Sequence, residues 1–179
     1  MLTIENTTLV VIDVQEKLAR IIYQRDTLVD NLQKLIKGIQ VLDVPIIVTE
    51  QYPQGLGQTI PEIAQLLSTI QPLPKISFSC LGDEHFVTKL KAVGQRQVLV
   101  SGIESHVCVY QTVSDLIHLG YEVHVVTDTV SSRTLENREV GLSMMNRLGA
   151  VLTSTEAVLF ELLKIAKGEK FKAISQIVR

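Results

Sequence analysis

The stretch SGIESHVCVYQTV, residues 101–113, connects a predicted buried strand to a predicted amphipathic helix. The mainly apolar residues 98–101 (VLVS) predict the strand, and Gly102 predicts a short turn after it. A helix over about residues 106–119 is indicated by apolar residues on one face, namely Val109, Val113, Leu116 and Ile117. A buried strand followed by such a helix is typical of a parallel sheet that helices cover.

Cys108 falls in the first turn of this predicted helix. Unpaired backbone N–H groups and the positive end of the helix dipole favour an anion there. We therefore expect the pKa of the Cys108 thiol to lie below its ordinary value, as in a nucleophile. The alternative is that Cys108 is a small packing residue, because cysteine is often buried.

The rest of the chain repeats the same alternation of strands and helices. Strands are predicted at residues 9–12, 46–48, 123–127 and 150–152, with an irregular extended piece at 72–78. Helical stripes are predicted around residues 28–39, 63–70, 86–93, 140–148 and 158–166, and Val140 and Met145 belong to the fourth. The pattern predicts an α/β fold in three αβα layers, with a doubly wound, six-stranded parallel sheet in one domain spanning residues 1–179.

Polar residues follow several of the predicted strands. Asp13 ends the first strand, where open α/β sheets bind their ligands, although a carboxylate there can also cap the next turn. Gln51 and Tyr52 follow the second strand and are placed either to line a pocket or to serve as ordinary loop residues. Lys75 lies in the irregular third piece, where a solvated surface lysine is the simpler interpretation.

Composition excludes several classes of partner. A net charge of −2 and a pI near 6.1 give no basic surface for nucleic acid or for an anionic membrane. The first residues lack the features of a signal peptide, and no apolar run approaches the ~20 residues of a membrane span. The two cysteines form neither a metal-ligand spacing nor a disulfide framework. We expect a cytoplasmic protein that binds a small molecule and needs no cofactor.

Four pieces of sequence carry a resemblance to a known family: residues 11–15 (VIDVQ), 48–57 (VTEQYPQGLG), 73–75 (LPK) and 102–109 (GIESHVCV). The chain resembles the isochorismatase-like cysteine hydrolases, which include nicotinamidases and N-carbamoylsarcosine amidases. The second piece is most similar to the isochorismatase-domain-containing proteins. The resemblance covers essentially the whole chain and implies a Rossmann-like sheet of order 3-2-1-4-5-6 and a homo-oligomer.

The resemblance also implies a catalytic triad of Asp13, Lys75 and Cys108, which would meet where the sheet order reverses. Asp13 would accept the thiol proton and Lys75 would keep Asp13 ionised. A cis peptide bond is implied between Ile103 and Glu104. The residues expected to form the oxyanion hole and the substrate-binding surface are Ile103, Glu104, Ser105, Gln15, Gln51 and Tyr52.

Departures from the family pattern narrow the expected chemistry. Residues 50–57 contain no histidine, so we expect no metal and no nicotinamidase-type site. The expected function is hydrolysis of a small amide or carbamoyl compound through a thioester. The alternatives are hydrolysis of an isochorismate-type ether without Cys108, or a catalytically silent binding protein of the same fold. Two points stay open: whether His106 faces the pocket or begins the helix, and whether Cys80 is reactive. The apolar residues of 171–178 hint at a subunit contact.

Overall fold

The computed structural model describes residues 1–179 and contains one six-stranded sheet. All neighbouring strands are parallel, and their order is β3-β2-β1-β4-β5-β6, which confirms the prediction. The strands are β1 (Thr7–Ile12), β2 (Ile46–Gln51), β3 (Leu73–Lys75), β4 (Gln97–Ile103), β5 (Glu122–Ser131) and β6 (Val151–Thr153).

Nine α-helices connect and cover these strands. They are α1 (Glu16–Ala19), α2 (Arg25–Val41), α3 (Pro53–Leu56), α4 (Pro61–Ala64), α5 (Glu84–Val93), α6 (Tyr110–His118), α7 (Leu135–Arg147), α8 (Thr155–Leu163) and α9 (Glu169–Ile177). None of them is long and apolar enough to cross a membrane.

The sheet separates two hydrophobic cores. Helices α2, α4, α8 and α9 bury their apolar faces against one side of the sheet, and α5, α6 and α7 cover the other side. The predicted stripe of α2 is entirely buried, from Leu28 through Leu32 to Ile39. Because both faces of the sheet are covered, the central strands read as continuous apolar runs. The three-layer αβα architecture is confirmed.

The strand-to-helix junction differs from the prediction in its details. Strand β4 continues through Gly102 to Ile103, so Gly102 lies inside the strand and not in a turn after it. A π-helical turn, Ser105–Val109, then precedes α6. Gly102 pairs with Ile12 at φ 114°, and a Cβ atom there would overlap the backbone of Ile12. Glycine therefore allows β4 to approach the end of β1 closely.

Helix α7 is rotated relative to its predicted stripe. Val140 is 52% exposed, whereas Gly141 and Met145 are buried. The prediction that Val140 faces the core is therefore wrong. Gly141 faces inward because α7 contacts the π-helical turn, and a side chain would separate them.

The C-terminal segment packs on its own chain. Ile174 of α9 is fully buried in the core beneath α2, and Val178 accepts a hydrogen bond from Lys34. Ile174 and Val178 of this stretch therefore pack within the chain. The subunit contact suggested for this stretch stays a prediction, because Phe171, Ile177 and Val178 are only half-buried in the single chain.

Candidate active site

Asp13 lies at the carboxyl end of β1, at the point where the sheet order reverses between β1 and β4. Its backbone adopts a left-handed conformation with φ 53°, and its side chain is fully buried. Oδ1 accepts a hydrogen bond of 2.8 Å from the Thr49 hydroxyl, and Oδ2 accepts one of 2.7 Å from Lys75 Nζ. Asp13 is therefore held at both carboxylate oxygens.

Lys75 ends the short edge strand β3 and is also buried. Besides Asp13, its Nζ atom donates to Gln51 Oε1 at 2.8 Å and to the carbonyl oxygens of Ser77 and Phe78, both at 3.1 Å. A buried ion pair is stable when further hydrogen bonds satisfy both ions. The three oxygens accept such bonds from Lys75, and the Thr49 hydroxyl donates one to Asp13. Lys75 is therefore not the solvated surface residue of the simpler interpretation.

Cys108 lies in the π-helical turn and is 5% exposed. Burial, followed by the negative charge of Asp13, raises the pKa of the Cys108 thiol far above its ordinary value, although the Lys75 cation opposes this. The expectation of a readily ionised thiol is wrong for the free protein. Desolvation and the neighbouring carboxylate outweigh the helix terminus. The arrangement suits proton transfer from the thiol to Asp13 during a reaction, rather than a thiolate formed beforehand.

The residues before Cys108 form the other wall of the site. The peptide bond between Ile103 and Glu104 is cis. Ser105 Oγ is buried and has no hydrogen-bond partner. Glu104 Oε2 accepts hydrogen bonds of 3.1 Å from the backbone N–H and from Nε of Arg133. These bonds attach the segment before the cysteine to the loop after β5.

His106 is the second residue of the π-helical turn and contacts that same loop. Its Nδ1 atom lies 2.9 Å from the hydroxyl oxygen of Ser132. Ser132 in turn accepts a backbone hydrogen bond from Tyr23, so His106 is anchored to a fixed loop. Its ring therefore helps to hold the turn that carries Cys108.

The three remaining predicted residues occupy different positions. Gln15 is buried, and its amide bonds the backbone of Gln51 and Gly57, so it joins the loop after β2 to the end of β1. Gln51 contacts Lys75 through Oε1 and donates to the Ile76 carbonyl through Nε2. Tyr52 is half-exposed and lies over Gly55. The structure thus brings Gln51 into contact with the charged pair and leaves Tyr52 at the surface.

Sequence reasoning missed Thr49 beside the site and left the role of Cys80 open. Thr49 lies just beyond the predicted strand at residues 46–48, yet it belongs to β2 and its hydroxyl donates to Asp13. Cys80 is fully buried, and its Sγ atom lies 3.8 Å from the Thr49 hydroxyl oxygen. Burial raises the pKa of the Cys80 thiol to about 11. Strand alternation, which sends Thr49 and Gln51 to one face of β2, was the signal available for Thr49.

The isochorismatase domain family matches residues 7–157, and the site lies within that range. The chain belongs to the isochorismatase family. It is 38% identical over 178 residues to isochorismatase domain-containing protein 2 of Danio rerio, which covers 99% of this chain and 89% of the relative.

Two solved structures have the same fold as this chain. The MAR1 ribonuclease of Caenorhabditis elegans superposes with a TM-score of 0.92 at 36% identity, covering 99% of this chain and 91% of that one. The YcaC gene product of Escherichia coli, described as an octameric hydrolase of unknown specificity, gives a TM-score of 0.93 at 22% identity. It covers 98% of this chain and 88% of that one, and at this identity it supports the fold alone.

Proposed function

We propose that this protein is a cysteine hydrolase that cleaves a small amide or carbamoyl C–N bond through a thioester. The observation that carries the proposal is the buried thiol of Cys108 beside the Asp13–Lys75 ion pair. A nucleophile next to a base that a third group holds in place is the arrangement required for covalent catalysis.

In the proposed first half-reaction, Asp13 accepts the Cys108 proton as sulfur attacks the carbonyl carbon of the substrate. A carbon–sulfur bond forms, and the tetrahedral intermediate then expels the nitrogen. Asp13 returns the proton to that nitrogen, so ammonia or an amine leaves and a thioester remains. In the second half-reaction Asp13 takes a proton from water as the water oxygen attacks the thioester carbonyl carbon. The carbon–sulfur bond then breaks, Asp13 returns the proton to sulfur, and the acid product leaves with the Cys108 thiol restored.

Lys75 has a supporting part in this proposal. Its ammonium group bonds Asp13 at 2.7 Å and also donates to three other oxygens. The positive charge of Lys75 beside Asp13 favours the carboxylate form that accepts the proton. Its positive charge also favours the developing thiolate, because it lowers the pKa of Cys108.

We assign the oxyanion hole to the segment of Ile103, Glu104 and Ser105 together with the backbone N–H of Cys108. The unpartnered Ser105 hydroxyl supports this assignment, because a buried hydroxyl without a partner costs about 1–3 kcal/mol. A substrate oxygen that accepted its hydrogen bond would remove that cost. One such donor contributes about 3 kcal/mol to the transition state in comparable sites. We assign Gln15 and Gln51 to holding the site together and Tyr52 to its entrance.

We propose that the reaction needs no metal or cofactor, because the loop after β2 offers no histidine as a ligand. The substrate is a small molecule. RNA, suggested by the ribonuclease name of the Caenorhabditis elegans structure, is a second candidate because that protein is 36% identical. The net charge of −2 argues against RNA, since RNA binding relies on cationic side chains.

A homo-oligomer and a cytoplasmic location also belong to this proposal. Ile76 and Phe78 are exposed beside Lys75, and Tyr52 lies nearby at the same edge of the sheet. Exposed apolar side chains beside a site favour coverage by a second subunit. Both cysteines are free thiols, as is usual in a reducing compartment.

The test is a screen of small amides and carbamoyl compounds for release of ammonia or amine, with isochorismate and RNA as alternative substrates. We expect turnover of at least one C–N compound and a thioester detectable by intact-protein mass spectrometry. Cys108→Ala should lower kcat/KM by about 10³-fold or more, whereas Cys80→Ala should retain most of the activity.

Three outcomes would contradict the proposal. Ether hydrolysis that survives Cys108→Ala would support the isochorismatase-type alternative. Cleavage of RNA without turnover of any amide would support the ribonuclease candidate. Saturable binding of amides with no turnover would support a catalytically silent protein.

A further inference from the structure

A cleft lies on the opposite side of β2 from the candidate active site. Side chains alternate along the strand, so Thr49 and Gln51 face the site while Val48 and Glu50 face away from it. The cleft lies between the end of β2 and residues 58–72, and its volume is about 280 Å³. This volume approaches the lower end of the range of small-molecule sites, about 300–1,000 Å³.

Glu50 is the charged group of this cleft. It is 9% exposed, and its Oε1 atom accepts hydrogen bonds from the backbone N–H of Thr59 at 2.6 Å and from the Thr59 hydroxyl at 2.7 Å. Its Oε2 atom makes no hydrogen bond within the protein. No lysine, arginine or histidine lines the cleft, and Glu50 forms no ion pair.

A carboxylate in this position favours a cationic ligand. Burial of a charge is unfavourable unless an opposite charge or several hydrogen-bond donors compensate for it. Glu50 has donors at one oxygen only, so the other oxygen remains available. The remaining lining supplies polar side chains at Gln58, Ser68 and Gln71 and an apolar floor at Leu67 and Ile70.

We propose that this cleft binds a small organic cation of the alkylammonium type. The ammonium group would donate to Glu50 Oε2, with Gln58 and Gln71 as further partners, and the alkyl chain would lie on Leu67 and Ile70. This site is separate from Cys108, so the proposal does not depend on the proposed hydrolase function.

The test uses n-butylammonium chloride as the probe, titrated into the purified full-length protein by calorimetry and by NMR chemical-shift mapping. We expect saturable binding with Kd on the order of 1 mM, with shifts at Thr59, Leu67 and Ile70. Neutral n-butanol and anionic n-butyrate are matched in size and should bind at least about tenfold more weakly.

Three variants distinguish the contribution of the Glu50 charge to binding from the contribution of the shape of the cleft. Glu50→Gln keeps the acceptor for Thr59, removes the charge, and should weaken n-butylammonium binding by about 10-fold or more. Ser68→Leu fills the cleft from an exposed position and should also abolish binding, so it decides the question if Glu50→Gln does not fold. Glu62→Gln removes the same charge from a nearby carboxylate that Arg25 pairs and should leave the affinity unchanged.

Two results would overturn the proposal. One is binding of n-butylammonium that is no tighter than that of n-butanol. The other is n-butylammonium affinity that remains at the wild-type value in both Glu50→Gln and Ser68→Leu.

Discussion

The hydroxyl of Thr49 donates a hydrogen bond of 2.8 Å to Oδ1 of Asp13, on the carboxylate oxygen that Lys75 does not contact. Thr49 comes from β2, so the two donors reach the carboxylate from adjacent strands of the sheet, β2 and β3. Because Asp13 is fully buried, these two donors determine its orientation toward Cys108.

We predict that Thr49→Val lowers kcat/KM by about 10- to 100-fold, since a hydrogen bond to a charged group contributes about 1.5–3 kcal/mol. Thr49→Ser retains the hydroxyl and should restore most of the activity. The measurement is steady-state kinetics on whichever amide the screen identifies. Equal activity of Thr49→Val and Thr49→Ser would show that the hydroxyl does not act through Asp13.

The Asp13–Lys75 ion pair predicts a strong coupling in stability. Lys75→Met leaves the Asp13 carboxylate buried and paired with Thr49 alone, which should lower the free energy of unfolding by about 3–5 kcal/mol. Asp13→Asn combined with Lys75→Met removes both charges and should recover part of that loss. Urea unfolding of the two single variants and of the double variant measures the coupling. A double variant less stable than Lys75→Met would contradict this account.

The fold was largely predictable from the sequence, and particular residues show why. Runs such as residues 9–12 and 46–48 can be buried on both faces only within a covered parallel sheet, so they indicate the architecture directly. Asp13 was placed by the same reasoning, as the first polar residue after a buried strand. Lys75 required the family resemblance, because a lysine that follows two prolines in an irregular segment carries no physical sign of burial.

Details that depend on tertiary contacts were not predictable. The periodicity of α7 placed Val140 inward, but contact with the π-helical turn rotates the helix and buries Gly141 instead. The pKa of Cys108 was expected to fall because the local sequence reveals the helix terminus. The sequence does not reveal how deeply the thiol is buried or that Asp13 lies beside it.

The raised pKa of Cys108 predicts how its ionisation depends on pH. The free protein should hold a protonated thiol at neutral pH, with thiolate appearing only in strongly alkaline solution. Asp13 raises this pKa through its negative charge, so Asp13→Asn should lower it and shift ionisation to lower pH. Lys75 lowers the pKa of Cys108, so Lys75→Met should raise that pKa and shift ionisation of the thiol to higher pH.

The measurement is thiolate absorbance against pH in a Cys80→Ala background, which leaves Cys108 as the reporting thiol. If the Cys108 thiol ionised at the same pH with Asp13 and with Asp13→Asn, the carboxylate would not influence the sulfur. A wild-type thiol that ionises below about pH 8.5, the ordinary range for a free cysteine, would contradict the geometry of the site.

Gly141 determines how closely α7 approaches the turn that carries Cys108. A Cβ atom at Gly141 would lie 2.7 Å from the backbone carbonyl of Ser105 and 2.8 Å from the backbone nitrogen of His106. Backbone atoms cannot rotate away as a side chain can, so Gly141→Ala must shift the turn or the helix. We predict that kcat falls by about 10-fold or more, because small displacements of a nucleophile are costly to the rate.

Gly38→Ala in α2 is the matched control, since both positions lie within helices. There the new Cβ atom would meet the flexible side chain of Leu159, far from Cys108 in the opposite core. Gly38→Ala should change the free energy of unfolding while kcat stays at the wild-type value. Steady-state kinetics together with urea unfolding of both variants distinguishes a displaced nucleophile from a general loss of stability. A wild-type kcat in Gly141→Ala would mean that the turn does not need the close approach of α7.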